Sequence, residues 1–246
     1  MFLIRFNTIT KKYMSGHSKW NNIKQRKAAQ DKKRGASFTK LIRGVEIAAQ
    51  SGGDPEKNPT LRVAIDSAKK GAVPKDTIDR AIKRGTGEDK DSARMEEALY
   101  EGYGPGKVAI LVESVTDNKN RAASDIKHAF SKYGGSFGGS GTVKWMFDCR
   151  AVMSAPGDAS DDLQLALMDA GASEIDDSDG LNIAGPVESF SSLSKVFEEN
   201  DVKPDMSSIM WVAKDTVELS SDDMGRLQKM LDALDELDDV AEVYTN

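Results

Sequence analysis

The sequence predicts an α+β multidomain protein: an N-terminal all-helical domain followed by two α/β domains of ferredoxin-like order, one inserted in the other. Three observations predict it. Apolar residues up to about residue 85 recur at helical spacing. From residue 100 short apolar runs alternate with helical stripes, and one stretch reads β-α-β-β-α-β, the ferredoxin-like order. The charge changes with the pattern. Residues 1–90 carry 21 Lys and Arg against 9 Asp and Glu, and residues 91–246 carry 13 against 31, so the net charge of −6 hides a split of +12 and −18. Such a split assigns the two parts separate jobs: the first suits a polyanion, the second repels one.

The elements follow in order. Residues 1–13 hold three bases and no acid. They match neither a secretory signal nor a full mitochondrial presequence, so Met14 is the expected working start and 1–13 an extension. Residues 18–50 read as one helix, with Phe38, Leu41, Ile42, Val45 and Ala49 on a single stripe. Gly52 and Gly53 stop it. Leu61, Ala64, Ile65 and Ala68 mark a second helix, closed by Gly71. Pro74 suits the first turn of a third, because its missing N–H has no partner there anyway. Ile78 and Ile82 give that helix its inner face and Gly85 ends it. The basic helical domain is therefore 14–93, with a polar linker at 86–94.

Residues 100–106 form a turn-rich approach to a strand at 108–115, which is apolar on both faces in its first half. Asp117 or Asn118 caps a helix with Ile126, Phe130 and Tyr133 inward, and 142–147 reads as a further strand. The inserted unit, 148–213, has strands near 151–154, 173–175, 181–183 and 208–213. Its helices carry Leu163 and Leu167, then Phe190, Leu193, Val196 and Phe197. A last helix and strand, 224–237 and 240–244, return to the first α/β domain, which is thus discontinuous: 94–147 with 214–246.

Much chemistry is excluded. One cysteine, Cys149, allows no internal disulfide, and with His17 and His128 it leaves no zinc spacing. Cys149 packs at a strand end and His128 beside a helix core face. The segment from Gly102 to Lys107 is no phosphate loop: Glu101 stands where the first Gly belongs, Val108 where Ser or Thr belongs, and a strand follows instead of a helix. The five glycines of 134–141 lie between a helix and a strand, the wrong order for a dinucleotide site. Asp161, Asp162, Asp222 and Asp223 suit helix N-termini. Asp176, Asp177 and Asp179 do not have the spacing of a calcium loop. No catalytic residue, metal or cofactor is expected. No run approaches the length of a spanning helix, and the single cysteine points to a reducing compartment, so a cytoplasmic location is expected.

The binding residues are expected in the basic domain. Lys19, Lys24, Arg26, Lys27, Lys32, Lys33, Arg34, Lys40 and Arg43 are opposed only by Asp31 between residues 14 and 43. On one helix Lys24, Lys27 and Arg34 share a face. The third helix adds Arg80, Lys83 and Arg84. This is the footprint of phosphate-backbone contact, although Asp76–Arg80 and Asp79–Lys83 also read as ordinary i, i+4 pairs. His17 belongs to the same segment. Trp20 either completes the small helical core or stacks on a base.

Three stretches at the N-terminus carry a family likeness: Met14-Ser-Gly-His-Ser-Lys-Trp20, Arg26-Lys-Ala-Ala-Gln-Asp31 and Lys33-Arg-Gly35, with Phe38-Thr-Lys40 after them. Further on come Tyr100-Glu-Gly-Tyr-Gly-Pro-Gly106, Thr116-Asp-Asn118 with Asn120-Arg121, and His128-Ala-Phe-Ser-Lys132 before Gly134-Gly135. Together they resemble the YebC/PmpR family from about Met14 to Asn246. The resemblance implies three domains. It also implies a non-enzymatic regulator of gene expression that binds nucleic acid. Family members are described as transcriptional regulators binding promoter DNA. Others, including a mitochondrial relative, are described as translation factors that associate with the ribosome. The implied partners are promoter DNA, ribosomal RNA or both, with no membrane. The rival classes are a metal-dependent nucleic-acid enzyme and a protein-interaction scaffold acting through the acidic domains.

Overall fold

A computed structural model describes residues 19–20, 23–28, 30, 32, 37–89 and 94–246. The described residues between 19 and 32 are helical. Ser37 is extended and its side chain accepts from the Lys40 N–H, so a new helix, α1 (Phe38–Ala49), starts there instead of a single helix running from 18 to 50. Phe38, at the first residue of α1, is half exposed, and the buried stripe begins at Leu41. α2 (Pro59–Lys70) and α3 (Lys75–Thr86) close the helical core with Leu41, Val45, Ala49, Leu61, Ala68, Val73, Ile78 and Ala81. Buried Asn58 links two of these helices. Its Oδ1 accepts the Leu61 N–H at 3.0 Å, and its amide donates to the Ala48 and Gly52 carbonyls at 2.7 and 2.8 Å.

The end of α3 differs from the expected stop at Gly85. The helix runs to Thr86, and Gly87 at φ +77° caps it in the left-handed region. Gly85 has another reason to be glycine. A Cβ there would lie 2.3 Å from the Glu46 carbonyl oxygen and 2.6 Å from the Ala49 Cβ. The residue lets α3 approach the backbone of α1.

The first sheet is antiparallel, in the order β3-β1-β2-β8, from β1 (Glu96–Tyr103), β2 (Ala109–Thr116), β3 (Ser136–Phe137) and β8 (Val240–Thr245). β1 covers residues 96–99, for which no element was expected, and 100–103, expected as turn. Its Glu and Gly residues conceal the strand, and only pairing with β2 from Glu96↔Thr116 to Tyr103↔Ala109 reveals it. α4 (Lys119–Lys132), capped by Asn118, and α7 (Ser221–Glu236), capped by Ser220, pack on one face. Their core includes Ile110, Val112, Ile126, Phe130, Met230, Leu234 and Val243. Ala109, Ile110, Leu111 and Val112 are all fully buried. The unbroken apolar run of β2 thus reports a strand covered on both faces.

The expected strand at 142–147 is instead a 3₁₀ turn, Lys144–Met146, leading into β4 (Phe147–Ala155) of the second sheet. That sheet has the order β5-β6-β4-β7, with β5 (Glu174–Asp176), β6 (Leu181–Pro186) and β7 (Met206–Ala213). With α5 (Asp161–Asp169) and α6 (Phe190–Glu199) it has the ferredoxin-like order, around Met153, Leu167, Ile183, Leu193 and Phe197. Cys149 lies within β4, half-buried, and His128 is exposed on α4.

By compactness the chain forms two units. One holds the described residues up to Arg26 with Ala151–Ile209, the other Lys27–Arg150 with Met210–Asn246. The helical core and the first sheet therefore share a unit. No helix among the described residues is long and apolar enough to cross a membrane.

Gly85→Ala gains about 1 kcal/mol of helix propensity but forces a methyl group onto backbone. Overpacking typically costs about 1–3 kcal/mol. The expected outcome is a net loss of stability, read as a lower urea midpoint at unchanged m-value.

Candidate nucleic-acid interface

The structure divides the expected binding residues by what their charges meet. His17, Lys33 and Arg34 lie outside the described residues. In the smaller unit, Lys19 Nζ lies 3.1 Å from Glu174 Oε2 and 5.5 Å from the Trp20 ring centroid, and Lys24 Nζ donates to the Asp179 carbonyl at 3.3 Å. Trp20 is buried, but it does not belong to the core cluster of α1–α3. Arg26 is half-buried and helical.

In the larger unit several cations face inward. Lys27 Nζ meets Glu242 Oε1 on β8 at 2.7 Å, and Gln30 donates to the Val243 carbonyl at 2.9 Å. Lys40 is buried and donates to the Asp235 carbonyl, at the end of α7, at 2.6 Å. Arg43 pairs with Asp239 at 2.7 Å, and Arg84 pairs with buried Glu46. The exposed cations are Lys32 on the leading helix and Arg80 and Lys83 on α3. Arg80 hydrogen-bonds within its own first turns, to the Asp76 carbonyl and Thr77. Arg62, Lys69, Lys70 and Lys75 are also exposed on α2 and α3. Sequence reasoning passed over these four because they are dispersed among Asp66, Asp76 and Asp79. Only the packing of Leu61, Ala68 and Ile78 shows that they face water.

A physical reason draws Lys27 inward. Glu113 on β2 and Glu242 on β8 are cross-strand partners, and like charges directly opposite each other repel. Lys27 neutralises Glu242. Glu113 accepts hydrogen bonds from Trp211 Nε1 at 2.8 Å and the Tyr244 hydroxyl at 2.9 Å. Burial still holds the Glu113 carboxyl above the usual range, as those two bonds offset it only partly and Glu242 adds to it. Burial likewise raises Glu46, despite the opposing charges of Arg84 and Arg43.

Asp239 is the converse. Burial works against its charge, but Arg121 donates from Nε at 2.9 Å and Nη2 at 2.8 Å, and Arg43 adds a second guanidinium. Together they hold the carboxyl below its usual range, and the hydrogen bonds to Asp239 and Asp117 raise Arg121 in turn.

The acidic turn at 176–179 is locally satisfied. Asp176 Oδ1 accepts from the Ser178 N–H at 2.9 Å, and Asp177 accepts from Gln164 at 3.0 Å. Among the described residues no group of three His, Cys, Asp or Glu side chains could hold a metal ion.

Residues 18–88 match the family "TACO1/YebC protein N-terminal domain", and residues 95–246 match "TACO1/YebC second and third domain". The chain belongs to the TACO1/YebC family. A relative from Azoarcus sp. strain BH72 is 48% identical over 95% of this chain and 98% of its own length. One from Chlorobaculum tepidum is 46% identical over 95% of this chain and 94% of its own. Both bear the name "Probable transcriptional regulatory protein". The crystal structure of a conserved hypothetical protein from Aquifex aeolicus superposes with a TM-score of 0.74 at 36% identity, covering 89% of this chain and 92% of that one.

The Asp239 ion pairs give an acid dependence whose sign is fixed. A carboxyl with a lowered folded pKa stabilises the fold above its unfolded value of about 3.9 and loses that contribution as pH falls through the folded value. Asp239→Asn leaves a buried guanidinium uncompensated. The expected cost near neutral pH is about 3 kcal/mol, the lower end for a broken buried pair because Arg121 reaches water. Below pH ~4 the difference between parent and variant is expected to shrink, as thermal midpoints measured across pH will show.

Proposed function

We propose that the protein is a nucleic-acid-binding regulator of gene expression of the YebC/PmpR type, contacting phosphates through its helical N-terminal segments. The observation that carries this reading is family membership across both matched regions, joined to the +12 balance of residues 1–90. The names of the relatives support a role in transcription and hence a DNA partner. No enzymatic step is assigned.

The phosphate contacts are placed on the exposed cations Lys32, Arg80 and Lys83, with Lys33 and Arg34 included by residue type. Arg62, Lys69, Lys70 and Lys75 extend the set on α2 and α3. Lys27, Lys40, Arg43 and Arg84 are assigned to holding the helical segments against buried acids and carbonyls. Lys19 and Lys24 each have an acceptor on 174–179, but these contacts reach water and do not hold either lysine against a buried acid. A cation that already neutralises a buried carboxylate has less to gain from a phosphate, because moving it strands that carboxylate.

The test is a salt titration of full-length protein on duplex DNA and on ribosomal RNA fragments. Each phosphate contact contributes about −0.9 to the slope of log K against log salt on duplex DNA. Replacing Lys69, Lys70 and Lys83 with Gln is expected to flatten the slope by up to about 3. It should weaken unrelated sequences alike, since phosphate contacts carry no sequence information. Unchanged affinity and slope in this variant would remove the interface from α2 and α3. A large preference for ribosomal RNA over any duplex would move the role to translation.

A further inference from the structure

Trp145 is 65% exposed, the largest side chain among the exposed apolar residues described. Isolated surface apolar residues are common and need no explanation. What separates Trp145 is its mounting. Buried Glu101 on β1 accepts three backbone N–H groups from the loop that carries it. Gly141 donates to Oε1 at 2.7 Å, and Val143 and Lys144 donate to Oε2 at 2.7 and 2.8 Å. The Gly138 N–H donates to the Glu101 carbonyl at 2.8 Å. Burial alone would push the Glu101 carboxyl up, but these bonds and the Lys144 charge hold it below the usual range. On the far side Lys214 N–H donates to the Met146 carbonyl at 2.9 Å. Val143 and Phe147, two residues before and after Trp145 in the chain, are buried. The indole itself is oriented by Nε1 donating to the Thr142 carbonyl at 3.2 Å. A large apolar ring is thus held out of the core by a charged clip.

The surroundings select the ligand. Residues 126–150 hold Lys127, Lys132, Lys144 and Arg150 against one acid, Asp148, within a half of the chain whose balance is −18. Asp148 pairs with Lys214 at 3.2 Å. Gly138, Gly139 and Gly141 precede the indole, and a Cβ at Gly139 would meet nothing within 4 Å, so a strand can come close. No other residue of 126–150 is among the exposed large apolar side chains. A bare aromatic face, a stretch of chain in which bases outnumber acids and an open glycine approach are elements of a single-strand stacking site.

We propose that Trp145 is a stacking platform for an unpaired base of single-stranded nucleic acid, separate from the phosphate-binding helices. The inference rests on the nucleic-acid reading above and adds to it a class of target, since base faces in a duplex are already stacked on one another.

The test uses the full chain, a labelled unstructured 12-nucleotide RNA and a 12-base-pair DNA duplex, with affinities from anisotropy at one salt concentration. Trp145→Ala is expected to weaken the RNA complex about 5- to 150-fold, the range of one base–aromatic stack, and to leave the duplex unchanged. Trp145→Phe is expected to keep most of the RNA affinity and Trp145→Leu to lose it, because Leu preserves apolar bulk without a π-face. Circular dichroism confirms that each variant is folded. RNA affinity equal to the parent's in the Ala variant, or Leu performing as well as Phe, overturns the platform and leaves the indole to a protein partner. Duplex binding by the parent without RNA binding overturns the platform alone. Binding of neither overturns the nucleic-acid reading with it.

Discussion

Asp239 sits between α7 and β8 with its carboxylate buried, and two arginines from distant parts of the chain meet on it. Arg121 comes from the first turn of α4, capped by Asn118, and Arg43 from the middle of α1. A buried carboxylate without counter-charge would cost several kcal/mol, so the position of each arginine is set by the same oxygen atoms. Within the larger unit this ties the helical core to the sheet and the sheet to its covering helix. Lys27 on Glu242, Gln30 on the Val243 carbonyl and Lys40 on the Asp235 carbonyl follow along the same edge. Hydrophobic burial supplies most of the stability of each core, but it is non-directional. These polar contacts specify which helix face meets which strand.

That specification changes the meaning of the charge split. Read along the chain, the basic residues form one continuous patch for a polyanion. In the folded protein part of that patch is consumed internally by the acidic half. Each inward cation answers a local electrostatic need: Lys27 relieves the Glu113–Glu242 repulsion, and Arg43 and Arg121 neutralise Asp239. Apart from Lys32, the described cations of the helical segments that remain on the surface are set farther along the chain, largely on α2 and α3, where they alternate with acids. The proposed phosphate contacts therefore fall to a subset of the bases that composition reveals. The stacking platform proposed at Trp145 would add a second, chemically different contact.

Local structure and lineage are legible in the amino-acid order alone. The fold class, the helical stripes that begin near Leu41, Leu61 and Ile78, the cap at Asn118 and the ferredoxin-like order of the second sheet all rest on signals within about seven residues: i, i+3, i+4 stripes, capping residues and turn chemistry. The family motifs are equally local. Elements without such signals were hidden. β1, with Glu96, Glu97, Glu101 and Gly102, is a strand only because β2 pairs with it. The segment at 142–147 turns before its strand because Glu101 binds its backbone. Gly85 ends nothing and instead admits the backbone of α1. Tertiary structure alone decided which cations face acids, because the partners of Lys27, Lys40 and Arg43 lie 215, 195 and 196 positions away. A long, flexible basic side chain carries no mark of its partner; burial and distance choose it only once the chain has folded.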